Sequence, residues 1–405
     1  MQKLQALVWV VALVALPAGS SAADRWVSQG GNDVLNDCLT VAAPCKSLER
    51  ALTVAVPSDT INVAAGTYRV RLELRNSTTL TLLGGWDAAF TTRDPDATPT
   101  VLKARPGALG DKRVVLAIAE AGETISLEID GFVLTGGNAR VYGNALLGYA
   151  VFESMFQDGG GGLYALGAGG SVTMTVRRSV VTRNRSSVVA GGGVFVGASL
   201  GGSADVTFDR VMITDNRVDY GGGMELLSKF GDPTPASVHV RLVNSIVAGN
   251  RAKGSAAIFA LQDGAPCVLD LVDSTIVANR ARGERDEDPE GAIVLNQATA
   301  NITNTILWGN LLQPPGPGAD LDVGQNALAN VSYSDVGSAK EVAGGVLNDL
   351  GGNLSVDPQL VDFALAATSP LIDVGTCTGA PAVDFEGDPR PSGVTCDVGA
   401  DELVP

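Results

Sequence analysis

Four segments, TVRRSVVTRN (175–184), TFDRVMITDN (207–216), RLVNSIVAGN (241–250) and DLVDSTIVAN (270–279), each run from an aliphatic stretch into an asparagine. Two further segments, IDGFVLTGGN (129–138) and NITNTILWGN (301–310), have the same form. The last four intervals between the asparagines are 32, 34, 29 and 31 residues, and the first, of 46, contains an insertion. A period in this range is typical of a solenoid, in which each unit buries its apolar side against its neighbours.

Each unit from residue 160 onward has the same internal order. It opens with small residues before an apolar one, as in GGGL (160–163), GGGV (191–194), GGGM (221–224), SAAI (255–258) and EGAI (290–293). Two more short strands follow, and the last ends at the asparagine. Three short strands in about 30 residues predict an all-β fold, a right-handed parallel β-helix of about nine or ten coils.

The repeat also predicts which side chains stack. We expect Val181, Ile213, Val247 and Ile276 to form one buried column. We expect the asparagines to stack at one turn, where side-chain amides hydrogen-bond along the axis. This structural ladder comprises Asn138, Asn184, Asn216, Asn250, Asn279 and Asn310.

The rest of the chain divides around these repeats. Residues 1–23, with Lys3 and the apolar run LVWVVALVAL, predict a secretory signal peptide, and no later segment predicts a transmembrane span. Residues 24–70 predict an N-terminal cap and first coil, with a helix from Ser47 to about Val56. The repeats occupy 71–354, with loop insertions at 139–159 and 281–289 and a Pro/Gly run at 313–318. Residues 355–405 predict a C-terminal cap.

Composition restricts the compartment and the partners. With 28 basic and 44 acidic residues the chain carries a net charge of −16, which argues against nucleic acid as a partner. Five cysteines suit an oxidising compartment. Their proximity predicts two local disulfides, Cys38–Cys45 and Cys377–Cys396, and it leaves Cys267 as a buried thiol.

Three stretches resemble known families. The small-residue openings and the asparagine endings resemble the repeats of polymorphic outer membrane proteins, with an aliphatic residue in place of the phenylalanine of their FxxN motif. The segment WVSQGGND…PCKSLERALTVAV…DTINVAAGTY resembles the start of bacterial β-helix proteins with the pectin-lyase-like fold. The ending SVDPQLVDF…ATSPLIDVG…DFEGDPRP…CDVGADE is similar to a choice-of-anchor (type Q) segment. These resemblances imply an exported protein of a bacterial cell surface, associated with the outer membrane.

Enzymes of the pectin-lyase-like fold cleave acidic polysaccharides, so the resemblance makes catalytic residues worth seeking. Asp205, Asp209, Asp215 and Asp219 fall on one coil, but the columns of Asp209 and Asp215 hold arginines in the coil before and Val243 and Gly249 in the coil after. This pattern predicts no paired acid and base, and we assign no catalytic residue. The chain has a single histidine, His239, which excludes a histidine-rich metal site. We expect His239 to be an ordinary strand residue.

The residue after the ladder asparagine is an arginine in four consecutive coils. We name Arg185, Arg217, Arg251 and Arg280 the arginine stripe. Guanidinium groups about 5 Å apart repel one another unless carboxylates or a polyanion compensate them. The pattern is compatible with solvated arginines interleaved with acidic neighbours, or with a linear binding face for an acidic glycan.

The C-terminal segment has a second candidate site. Its acidic residues are dense enough for a Ca²⁺ site closed by the Cys377–Cys396 bridge, although their spacing is not that of an EF-hand. The candidate ligands are Asp384, Glu386, Asp388, Asp397 and Asp401. The alternative is a turn-rich cap in which aspartates bond their own backbone.

The sequence therefore favours an exported, non-catalytic cell-surface protein that binds glycans or other surface partners, with acidic polysaccharide and surface proteins as the candidates. The alternative is a polysaccharide lyase or glycoside hydrolase that acts on acidic polysaccharide.

Overall fold

Short parallel strands, stacked coil upon coil, form most of the described protein. The computed structural model describes residues 22–107, 111–139, 159–186, 191–218, 221–229, 235–282, 291–312 and 319–404. Residues 1–21 of the predicted signal peptide, most of both predicted insertions and the Pro/Gly run at 313–318 lie outside these ranges.

The first two coils contain three strands each and follow an N-terminal strand and helix. In chain order the elements are β1 (Asp24–Val27), α1 (Leu48–Val54), β2 (Asp59–Ala64), β3 (Gly66–Val70), β4 (Leu72–Arg75), β5 (Thr78–Trp86), β6 (Thr100–Ala104) and β7 (Val115–Glu120).

Most of the middle coils add a two-residue strand at the asparagine turn. The elements are β8 (Thr124–Asp130), β9 (Phe132–Thr135), β10 (Asn138–Ala139), β11 (Leu163–Ala168), β12 (Ser171–Thr182), β13 (Arg185–Ser186), β14 (Val194–Ser199), β15 (Ser203–Thr214), β16 (Met224–Lys229), β17 (Ser237–Val243), β18 (Ile246–Ala248), β19 (Arg251–Ala252), β20 (Ile258–Asp263), β21 (Cys267–Val272), β22 (Thr275–Val277), β23 (Arg280–Ala281), β24 (Gly291–Asn296), β25 (Thr299–Thr303), β26 (Ile306–Trp308), β27 (Leu311–Leu312) and β28 (Ala319–Gly324).

The final coils are shorter. They contain β29 (Leu328–Ser332), β30 (Asp335–Val336), β31 (Ala339–Glu341) and β32 (Val346–Asp349), and the antiparallel pair β33 (Leu360–Val361) and β34 (Ala364–Leu365) follows.

The strands of successive coils form three long parallel faces. Face A contains β1, β2, β5, β8, the first halves of β12 and β15, β17, β21, β25, β29 and β32. Face B contains β3, β6, β9, the second halves of β12 and β15, β18, β22, β26 and β30. Face C is a nine-stranded sheet from β4 to β31. Since each pairing joins residues one coil apart in parallel register, the predicted parallel β-helix is confirmed.

An aliphatic column fills the interior beneath face B. Val181 pairs with Ile213, Ile213 with Val247, and Val247 with Ile276. Each of these side chains is fully buried. Alternate strand residues point inward and outward, so the residues after the column face outward, where Thr182 and Thr214 are half-buried and Ala248 and Val277 are covered by an apolar cluster.

The helix α1 covers the N-terminal end of the rod. Ser47 begins it as the N-cap, where its hydroxyl accepts from the Arg50 N–H at 3.2 Å. Leu48 and Ala51 lie fully buried against the core of the first coil. A helix in this place shields strand edges that would otherwise pair with another chain. Among the described residues, no helix is long and apolar enough to cross a membrane.

Residues 355–404, which belong to the predicted C-terminal cap, pack along the outer side of face B. Leu371 and Val398 share an apolar cluster with the outward-facing Ile246 and Ile306. Meanwhile Val342, Val346 and Leu350 of the last coil remain 46, 47 and 63% exposed. The C-terminal segment therefore lies beside the rod.

Candidate functional site

A buried ladder of asparagines supports the turn between faces B and C. The Nδ2 atoms of Asn184, Asn216, Asn250 and Asn279 each donate to the Oδ1 of the next asparagine, at 3.2, 3.0, 3.0 and 2.9 Å. The four donors are fully buried. Each of these Nδ2 atoms also donates to a backbone carbonyl one coil earlier, as from Asn216 to Val181 O at 2.9 Å. The ladder thus ties the turn to the buried column.

The two ends of the ladder differ from the sequence prediction. Asn138 is not a member, because Leu134 pairs with Val181 and this register puts Gly137, one residue earlier, opposite Asn184. Asn184 Oδ1 accepts from the Gly137 N–H at 2.9 Å. At the other end, Asp320 Oδ1 accepts from Asn310 Nδ2 at 2.8 Å, a partner that the repeat did not indicate.

The arginine stripe lies on the solvent side of this turn. Register pairs Arg185 with Arg217, Arg217 with Arg251, and Arg251 with Arg280. All four residues are exposed. Asn138 occupies the same column before Arg185, and Leu311 follows Arg280. Because the column runs along the rod axis, the backbones of adjacent arginines lie about 4.8 Å apart.

Within the described ranges, no carboxylate oxygen lies within 4.0 Å of a stripe guanidinium. Arginines on the adjoining faces behave differently. Arg177 pairs with Glu128 and approaches Asp209 at 3.8 Å, and Arg178 Nε donates to Asp130 Oδ1 at 2.9 Å. Interleaved acids therefore neutralise the arginines at the bend between faces A and B, and they do not neutralise the stripe.

The stripe borders a shallow cleft of about 260 Å³. Its lining includes Arg185, Arg217, Arg251 and Asp215. Gly249 lies beside Asp215 in the next coil, and a Cβ at that glycine would be 3.3 Å from Asp215 Oδ1. The described lining of the cleft thus combines several cations with one carboxylate. Gly249 contributes no side chain to this lining, which leaves space beside Asp215.

The predicted Ca²⁺ ligands divide into two groups. Asp384, Glu386 and Asp401 can bring carboxylate oxygens within 4.8 Å of one another. Asp397 instead accepts from the Asp373 and Leu403 N–H groups, at 2.7 and 2.8 Å. Asp388 is not part of the convergent trio.

Backbone hydrogen bonds already occupy part of the trio. Asp384 is fully buried, and its carboxylate accepts from the N–H groups of Gly387, Asp388 and Glu402, at 2.8, 2.8 and 3.0 Å. Desolvation, then the charges of Asp384 and Asp401, raise the pKa of Glu386 to about 7. Three oxygens are fewer than the six to eight that Ca²⁺ takes, so the calcium site stays a prediction.

A buried arginine that sequence reasoning did not select holds the C-terminal segment to the rod. Arg390 Nη1 lies 3.3 Å from Asp273 Oδ1 and 3.1 Å from Glu402 Oε2, and all three side chains are buried. Asp273 belongs to a repeat, whereas Arg390 and Glu402 belong to the segment. Asn304 Nδ2 adds a bond to Thr376 O at 2.6 Å.

Both predicted disulfides, Cys38–Cys45 and Cys377–Cys396, are present. Cys267 is a free thiol in the core, and burial raises its pKa to about 12. A thiol that stays protonated is a weak nucleophile.

His239 has more partners than an ordinary strand residue. Its Nε2 lies 2.8 Å from Asp270 Oδ2, and its Nδ1 lies 3.8 Å from Asp205 Oδ1. Asp270 also begins a solvent-facing amide row, in which Asn301 donates to Asp270 at 2.8 Å and Asn330 donates to Asn301 at 2.9 Å. Spacings of 31 and 29 residues between these polar side chains, close to those of the ladder, were the available signal for this second row.

No family model matches the chain, and no curated protein matches it. Among solved structures the chain is similar to the pectate lyase Pel9A, with a TM-score of 0.44 and 14% identity over 95% of this chain and 97% of that chain. It is also similar to a rhamnogalacturonan lyase, with a TM-score of 0.29 and 12% identity over 84% of this chain and 90% of that chain. We base the function on the residues of the stripe instead.

Proposed function

We propose that this protein is an exported, non-catalytic β-helix protein that binds an acidic polysaccharide along the arginine stripe. The observation that supports this proposal is the row of four exposed arginines without a carboxylate within 4.0 Å among the described residues. A planar guanidinium presents parallel N–H donors that match a carboxylate or a sulfate.

The spacing favours a polymer over a small anion. One cation per coil, about 4.8 Å apart, is comparable to the length of one sugar ring in an extended glycan. Neighbouring guanidinium groups repel one another, and a bound polyanion relieves that repulsion. The chain as a whole carries −16, so the stripe is a local exception on a negative protein.

The export and surface parts of the proposal have separate support. Two disulfides suit an oxidising compartment outside the cytoplasm. The signal peptide expected in residues 1–23, and the resemblance of the repeats and the C-terminal segment to surface proteins, favour a location at the cell surface.

One observation favours the alternative of a polysaccharide lyase or hydrolase. Asp215 lies in the same cleft as the arginines, and a carboxylate beside cations could act as a base. Glycoside hydrolysis uses two carboxyl groups, and Asp215 is the one carboxylate in the described lining of this cleft. We therefore rank binding above catalysis.

The test compares two double variants with the same change in charge. Arg217→Glu/Arg251→Glu alters the stripe. Arg69→Glu/Lys103→Glu alters two exposed basic side chains paired on face B near the N-terminus. Titration of polygalacturonate by calorimetry should show binding by the wild type, weaker binding at higher salt, and loss of binding only in the stripe variant.

Several outcomes would contradict the proposal. Equal loss in both variants would indicate diffuse electrostatics, and unchanged binding in the stripe variant would remove the stripe as the site. A much lower melting temperature of the stripe variant would make the arginines structural. Release of unsaturated or reducing sugar ends in the same samples would favour the enzyme.

A further inference from the structure

We infer that Asp215 accepts hydrogen bonds from sugar hydroxyls, and that this makes the stripe select glycans over other polyanions. The inference rests on the proposed function, because it concerns the same cleft. It adds one residue and one property of the ligand, namely hydroxyl groups close to its negative charges.

The position of Asp215 leaves its carboxylate available. The residue is exposed in the cleft immediately before the ladder residue Asn216. Within the described part of the chain, its oxygens accept no hydrogen bond and have no cation within 4.0 Å. Its Oδ1 faces Gly249, where the absence of a side chain leaves space for a ligand.

The fold does not require a carboxylate at this position. The equivalent residues of neighbouring coils are Arg183, Gly249, Ala278 and Gly309, and all of them share the left-handed backbone of Asp215, with φ between 55° and 66°. Glycine adopts this conformation at no steric cost, and Ala278 shows that a methyl side chain is also accommodated. Conformation alone therefore does not account for the aspartate.

Electrostatics make the aspartate unfavourable for a ligand that offers only negative charge. A carboxylate among arginines repels such a ligand and lowers the positive potential of the cleft. A uronic acid polymer offers carboxylates to the arginines and hydroxyl donors to Asp215. Hydrogen bonds in which the acceptor is ionised are stronger than neutral ones, so this ligand gains a contact that a hydroxyl-free polyanion cannot make.

Asp215 should weaken the binding of a polyanion without hydroxyl groups and strengthen the binding of a uronic acid polymer, so its replacement should change the two affinities in opposite directions. We would titrate wild type, Asp215→Ala and Asp215→Asn with polygalacturonate and with poly-L-glutamate, which has carboxylates but no hydroxyl groups. Asp215→Ala should weaken polygalacturonate binding by roughly tenfold, equivalent to about 1.4 kcal/mol, and strengthen poly-L-glutamate binding. Asp215→Asn keeps an acceptor oxygen, so it should retain more polygalacturonate binding than the alanine variant.

The outcomes separate this inference from the proposed function. If Asp215→Ala strengthens binding of both polymers, or leaves polygalacturonate binding unchanged, Asp215 does not contact hydroxyls, although the stripe still binds polyanions. If the wild type binds neither polymer, both proposals fail. Ala278 makes the alanine variant compatible with the backbone, and Asp215→Asn provides the comparison if that variant unfolds.

Discussion

Asn216 Oδ1 accepts two hydrogen bonds from Asn184, one from the backbone N–H at 3.0 Å and one from Nδ2 at 3.2 Å. One buried atom therefore satisfies two donors of the preceding coil. The same double acceptance recurs at Asn250, from Asn216. Consecutive coils are thus joined through single side chains as well as through their sheets.

Replacing Asn216 by alanine should destabilise the protein by roughly 1–3 kcal/mol, because it leaves the buried backbone N–H of Asn184 without its acceptor and removes one of the two acceptors of Asn184 Nδ2. Urea unfolding measures the change. The control is Asn301→Ala, which removes an exposed amide from the outer row and should change stability by less than about 0.5 kcal/mol. A similar decrease in the free energy of unfolding in both variants would show that burial of the amide does not determine its contribution to stability.

Replacing Arg390 by methionine should cost about 3–5 kcal/mol, because Asp273 and Glu402 would remain as buried charges without a partner. Limited proteolysis should then cut the C-terminal segment before the repeats. Arg105→Met, in an exposed pair with Glu49 at 3.0 Å, should cost less than about 1 kcal/mol. Resistance of the Arg390 variant to proteolysis would contradict this role.

Stability should fall as pH rises from about 5 to 8, partly because of Glu386. Its pKa, about 7 in the folded protein, exceeds the usual value near 4.3, so the folded state binds this proton more tightly. The associated stability is present below the unfolded pKa and is lost as pH rises through the folded pKa. Thermal melts of Glu386→Gln should show a shallower decline.

The same variant tests the calcium prediction. If Asp384, Glu386 and Asp401 hold Ca²⁺, the ion should raise the melting temperature of the wild type at pH 8, and Glu386→Gln should reduce that gain. An equal response to Ca²⁺ in both proteins would argue against this trio as the site.

Cys267 should not react with a thiol reagent in the native protein, because its side chain is buried and its pKa is raised to about 12. It should react once the chain unfolds, which gives a probe of global opening. Mass spectrometry after timed labelling checks this expectation. Rapid labelling under native conditions would show that the repeat around Cys267 opens locally.

The regular features could be predicted because they repeat. Equal intervals place Val181 over Ile213 and Arg185 over Arg217 before any coordinate is known. Asn138 was misplaced because it follows the column residue Leu134 by four positions, whereas the other ladder asparagines follow their column residue by three, so the unbroken register puts Gly137 at the ladder position.

The irregular features depend on contacts between distant parts of the chain. No period links Arg390 to Asp273, and their pairing exists only because the C-terminal segment folds back on face B. The cleft beside Asp215 was missed for a related reason. It requires Gly249 to lie one coil away, so it depends on an absent side chain at the equivalent position of the next coil.

The way in which consecutive coils are joined has an evolutionary consequence. Because each coil of the ladder contributes one amide, one residue of the aliphatic column and one position in the column of the stripe, duplication of such a coil would preserve every pairing. A shift of one residue within a coil would instead turn inward-facing side chains outward. Such a protein can therefore change the length of ligand it accommodates in steps of one coil, by gene duplication and without a new binding chemistry.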